Sequence, residues 1–82
     1  MMKEGLLWFD NDPKRDVADK VGRAAARYQT KFGRQPTICY LSQRDFKGEF
    51  EEVNGVRLQS AANVRPNYFL VGVEQETLAR AA

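Results

Sequence analysis

Between residues 13 and 37 the apolar positions fall at helical intervals. Val17, Val21, Ala24, Tyr28 and Phe32 recur at steps of four, three, four and four, which keeps them on one face of a helix. Asp12 and Pro13 predict its start, because an aspartate accepts a bond from a free first-turn amide and proline has a preset φ and no N–H to satisfy. Gly33 suits the left-handed residue that closes a helix, and Pro36 forbids continuation while pushing Gln35 toward extended backbone. On either side the period changes. Residues 5–9, Gly-Leu-Leu-Trp-Phe, read as a first strand cut off by Asp10-Asn11-Asp12-Pro13, and residues 37–41 read as a second strand, apolar on both faces. Strand, helix and strand at this spacing predict a right-handed βαβ unit with both strands parallel in one sheet.

Residues 42–52 are polar and mixed in charge, and both a short helical turn and an irregular excursion fit them. Asn54-Gly55 is the strongest hairpin signal in the chain, since a type I′ turn needs two positive φ angles that this pair tolerates. In that register Val53 faces Val56 and Glu52 faces Arg57, and Val56, Leu58 and Ser60 alternate with Arg57 and Gln59 as in a strand with one wet face. A connection over 61–67 leads to a final strand at 68–73, too apolar for an edge, and residues 74–82 fit either a short helix or a frayed end. The expected fold is α/β (α+β): one long helix on a mixed four- to five-stranded sheet, β-α-β followed by the Asn-Gly hairpin and a final apolar strand, as a single domain over 1–82. Its expected core is Val21, Tyr28, Phe32, Ile38, Phe69 and Val71. One helix covers one face, so Tyr40, Tyr68 and Leu70 would add apolar surface to the face left open. Either the C-terminal segment or a second copy must cover it, which makes a homo-oligomer, most simply a dimer, the expected state.

Composition narrows the function classes. A chain of 82 residues buries too little surface for two cores, and 29% charged with 43% hydrophobic residues is ordinary globular usage. No apolar run approaches the roughly 20 residues that cross a bilayer, and the apolar run near the start is too short for a secretory signal, so a cytoplasmic location is expected and no membrane contact. There is no histidine, which removes Ser-His-Asp and Cys-His nucleophile chemistry and histidine metal sites. Cys39 is the single cysteine; it permits no intrachain disulfide and reads as a small hydrophobe in a strand. Gly48, Gly55 and Gly72 stand alone and form no phosphate-binding motif, and no cofactor is called for.

Three polar constellations are candidates for chemistry. Lys20, Arg23, Arg27, Lys31 and Arg34 form a basic stripe beside the apolar helix face, and residues 13–34 carry seven basic and two acidic side chains against a whole-chain charge of +2. Such a stripe can track phosphates or meet an acidic protein, or simply be a solvated face. Asp10, Asn11 and Asp12 sit where the first strand ends, the usual ligand end of a parallel α/β sheet, and Asp10 and Asp12 are the candidate ligands for a divalent metal; cap and turn roles account for them equally well. Asp45, Glu49, Glu51 and Glu52, with Arg44 and Lys47 among them, read as a solvated acidic loop able to answer the basic stripe of a neighbouring copy, and Asn63 and Asn67 as turn residues.

The order Gly33-Arg34-Gln35-Pro36-Thr37, a strand ending in Tyr40-Leu41, Asn54-Gly55-Val56 and Val64-Arg65-Pro66-Asn67-Tyr68-Phe69-Leu70-Val71-Gly72, with Trp8-Phe9-Asp10-Asn11-Asp12-Pro13, resembles a group of small bacterial proteins of unknown function. That resemblance implies no activity. Residues 36–73 are also similar to the stretch after the long helix of tailed-phage major capsid proteins, although 82 residues cannot hold the rest of such a subunit. Together these observations predict a small binding or assembly module, self-associating and more consistent with a non-enzyme. The alternatives are a nucleic-acid-associated protein using the basic stripe and a metal-dependent hydrolase using Asp10 and Asp12.

Overall fold

The computed structural model describes residues 2–46, 48 and 51–74. Strand β1 (Met2–Phe9) leads to helix α1 (Val17–Phe32), then to β2 (Ile38–Leu41), β3 (Glu52–Val53), β4 (Val56–Ser60) and β5 (Tyr68–Glu74). The five strands form one mixed sheet in the order β1-β5-β2-β4-β3. β5 is antiparallel to both β1 and β2, and β2 is parallel to β4. β1 and β2 therefore run parallel as expected, with the apolar final strand inserted between them, where its lack of a wet face is accommodated. β1 begins three residues earlier than the expected Gly5.

The helix does not open at Asp12. Asp16 has extended backbone at φ −84° and its side chain accepts from the Asp19 amide at 2.8 Å, so Asp16 is the N-cap. Asp12 belongs to the preceding turn instead: its Oδ1 accepts from the Lys14 amide and its carbonyl from the Arg15 amide. The other end is as expected, with Gly33 at φ 74° donating its amide to the Gln29 carbonyl at 2.8 Å.

Residues opposite each other in the ladder share a face of the sheet. Leu6, Trp8, Phe69, Val71, Cys39, Leu41 and Leu58 thus line one face, where they pack with Val21, Ala24, Ala25 and Tyr28 of the helix. Leu7, Phe9, Tyr68, Leu70, Tyr40 and Ile38 line the other. Of the expected core, Val21, Tyr28, Ile38, Phe69 and Val71 have no exposed surface, whereas Phe32 is half-buried at the helix end with its ring 4.6 Å from that of Tyr28. Ile38 belongs to the face opposite the helix, not to the layer beneath it. The Asn54-Gly55 hairpin has the expected pairs, Val53 with Val56 and Glu52 with Arg57, and both turn residues have positive φ, 49° and 83°. Residues 42–45 form a turn; Lys47, Glu49, Phe50 and the C-terminal expectation over 75–82 lie outside the described residues.

Candidate functional site

The end of the sheet where β1 stops is held by three loops. The Asp10 amide donates to the Asn67 carbonyl at 2.9 Å, and the Asn67 amide donates to Asp45 Oδ2 at 2.7 Å. Asn67 turns through φ 72°, a left-handed conformation that asparagine tolerates better than most residues. Ser42 completes the latch, because its hydroxyl donates to Asp45 Oδ2 and accepts the Asp45 amide, both at 3.0 Å. Asp45 is thus a half-buried bridge between loops, not a member of the solvated acidic run in which the sequence places it.

The Asp10 carboxylate is buried, its side chain only 4% exposed, and it accepts from the Asp12 amide and from Arg15 Nε, each at 3.0 Å. Arg15 Nη1 lies 3.3 Å from Asp12 Oδ2, so the two candidate carboxylates share one guanidinium. Burial by itself raises the Asp10 pKa, but the Asp12 amide and Arg15, helped by the charge of Lys20, outweigh it and hold the group below its ordinary value. The hydrogen bond to Asp10 raises Arg15 in turn, against the smaller effect of its own desolvation. Among the described residues no three His, Cys, Asp or Glu side chains are grouped to hold a metal. At the Asp10–Asp12 pair a protein cation already stands between the carboxylates, and Arg15 was not among the candidates read from sequence.

Lys20, Arg23, Arg27 and Lys31 of the basic stripe lie on α1 at helical spacing, Arg34 lies beyond its end after Gly33, and the five are unevenly free. Lys20 is half-buried toward Asp10, Arg23 Nε donates to Asp19 Oδ1 at 3.1 Å, and Lys31 Nζ stands 5.5 Å from the centre of the Phe32 ring. Arg27 and Arg34 are exposed and have no ion pair among the described residues.

The face opposite the helix presents a different surface. Leu7 is 58% and Phe9 52% exposed, and the Phe9 and Tyr68 rings lie 4.9 Å apart. Beside them Leu7, Asn63, Val64, Arg65, Tyr68 and Leu70 line an open hollow of about 430 Å³. The apolar run of residues 5–9 hides this asymmetry in the sequence: Leu6 and Trp8 turn inward to the helix, and Leu7 and Phe9, equally apolar, turn outward. Cys39 is buried beneath the helix and its burial pushes the thiol up to about 12, which removes it from nucleophilic chemistry.

Among the described residues no helix is long and apolar enough to cross a membrane. No family model, curated protein or solved structure matches the chain.

Proposed function

We propose that this protein is a small, non-enzymatic assembly module that associates with a second copy through the Leu7–Phe9 side of its sheet. The observation that carries the reading is the pair of outward side chains on β1, each more than half exposed and continuous with Tyr68 and an apolar hollow. Exposed apolar surface gathered in one patch marks an interface far more often than surface scattered singly. A two-fold pair is the economical closure, since one patch serves both subunits. The carboxylates that would carry metal-dependent hydrolysis are engaged by Arg15, which supports a structural role for them. A cytoplasmic setting is part of the proposal, supported by a lone cysteine that is a buried free thiol.

Sedimentation equilibrium tests it. The expected mass is near twice 9.4 kDa at micromolar concentration, returning to 9.4 kDa in a Leu7→Ser, Phe9→Ser variant with an unchanged circular dichroism spectrum. A wild-type protein that stays at 9.4 kDa when concentrated overturns it.

A second reading rests on Arg27 of the helix and Arg34 just beyond its end, exposed and without ion pairs among the described residues: the C-terminal end of the helix tracks a phosphate backbone or meets an acidic protein. It requires salt-graded retention on nucleic acid that weakens when Arg23, Arg27 and Lys31 are replaced by alanine, by about one unit of salt slope per lost contact.

A further inference from the structure

The sheet has two edges among the described residues, and they are built differently. β3 closes one side with two residues, one of them the exposed Glu52. β1 closes the other with eight. Natural sheets protect an edge by shortening it or by placing charge, proline or a bulge along it, because its unpaired N–H and C=O groups are a template for another strand. β1 contains no proline, and residues 5–9 carry no charge. Its pairing with β5 is irregular between Met2 and Gly5 and regular from Gly5 to Phe9, so the regular part of the edge is the uncharged part. The exposed large apolar side chains, Leu7 and Phe9, stand on this same strand. Ile38, two strands further in on the same face, has no exposed surface.

Among the described residues, unpaired backbone and exposed apolar surface therefore coincide on β1. Resting on the self-association proposed above, we infer that the occupant of this edge is β1 of a second copy, antiparallel across a two-fold axis at Leu7, so that the two sheets run on as one. Opposed residues in an antiparallel pair share a face, so a two-fold strand pair must be centred on a single residue. Leu7 is the midpoint of the uncharged run. Centred there, Leu7 faces Leu7 of the partner subunit, Leu6 faces Trp8 of the partner subunit, and Gly5 faces Phe9 of the partner subunit. Gly5 has no side chain, so the aromatic ring opposite can lie over it, a known means of covering a glycine in a sheet. A shift of the axis to Leu6 would set Glu4 against Trp8 of the partner subunit, and a shift to Trp8 would set Asp10 against Leu6 of the partner subunit. Either shift leaves only three of residues 5–9 opposed to one another, whereas centring on Leu7 opposes all five; that centring also sets positions 4 and 10 opposite each other, where the Asp10 carboxylate is already held by Arg15. The uncharged run thus selects the register, and a second copy of β1 matches it along its whole length.

The test uses the whole chain at a concentration where it sediments as a dimer. Leu7→Cys lies on the axis, and mild oxidation with diamide is expected to link most of it to itself as a disulfide. Tyr68→Cys, one strand inward, is expected to link about tenfold more slowly, because its two copies are farther apart than the Leu7 pair by at least twice the interstrand spacing of about 4.8 Å. Cys39 is buried and does not compete in the folded protein. Amide exchange within residues 5–9 is expected to slow as protein concentration rises, and Leu7→Lys, at an exposed position, is expected to abolish both the slowing and the dimer without unfolding the chain. A dimer in which Leu7→Cys links no faster than Tyr68→Cys overturns the edge geometry and leaves self-association standing. A monomeric wild type overturns both, and edge amides protected only on addition of an uncharged extended peptide would assign the edge to a foreign strand.

Discussion

The amide of Asn67 donates to Asp45 Oδ2 at 2.7 Å across 22 residues of chain, and the same carboxylate oxygen takes the Ser42 hydroxyl. One side chain thus fixes the loop after β2 against the turn before β5. Asp45→Ala removes a charged acceptor from a half-buried amide, and such losses cost about 1–3 kcal/mol. The expected outcome is a melting temperature lower by roughly 4–8 °C for each kcal/mol lost, with Asp45→Asn less affected because it keeps an acceptor. Thermal melts of the two variants beside wild type measure it.

Asp10 makes stability depend on acid. Its folded pKa lies below the unfolded value of about 3.9, because the Asp12 amide and Arg15 overcome the effect of burial. A depressed carboxyl contributes stability that is fully present above the unfolded pKa and is lost as pH falls through the folded one. The stability difference between wild type and Asp10→Asn should therefore be constant from pH 5 to 7 and shrink below about pH 4. Urea titrations across that range measure it, and a difference that grows toward acid would contradict the assigned sign.

Cys39 reports opening of the core. With its pKa at about 12, only about one thiol in ten thousand is ionised at pH 8 in the folded protein. Ellman's reagent should leave the native thiol unmodified over a period in which the urea-unfolded chain reacts completely. The rate in intermediate urea should follow the unfolded population.

Much of the fold was legible in the sequence because it rests on periodicity. The steps from Val17 to Phe32 set the helix, Gly33 its end, and Asn54-Gly55 the register of Val53 on Val56. Cap chemistry alone does not fix the helix start, because Asp12 and Asp16 are equally good cap residues; Asp16 stands directly before Val17, the first periodic apolar residue, and that adjacency is the better signal. Side-chain bonds made in three dimensions leave no such pattern. Nothing local distinguishes Asp45 from its acidic neighbours, nor marks Arg15 as the partner of Asp10. The edge of the sheet was equally hidden, because residues 5–9 are apolar on both faces and only the strand order leaves Leu7 and Phe9 outside.

The same surface logic yields a paired prediction from two charge insertions. Val21 has no exposed surface and packs where α1 meets the sheet, among Ala24, Ala25 and Tyr28. An aspartate there would bury a carboxylate among apolar side chains, at a cost of several kcal/mol against a total stability of about 5–15 kcal/mol. Val21→Asp is therefore expected to show no cooperative melt. Leu7→Lys introduces a charge at a side chain already 58% exposed, where the ammonium stays in water and the stem still covers neighbouring apolar surface. Measured on dilute samples, where the dimer contributes nothing to stability, its melting temperature should fall within a few degrees of wild type. A cooperatively melting Val21→Asp would mean that the helix packs through a different face. An unfolded Leu7→Lys would mean that this side chain belongs to the core and not to an interface.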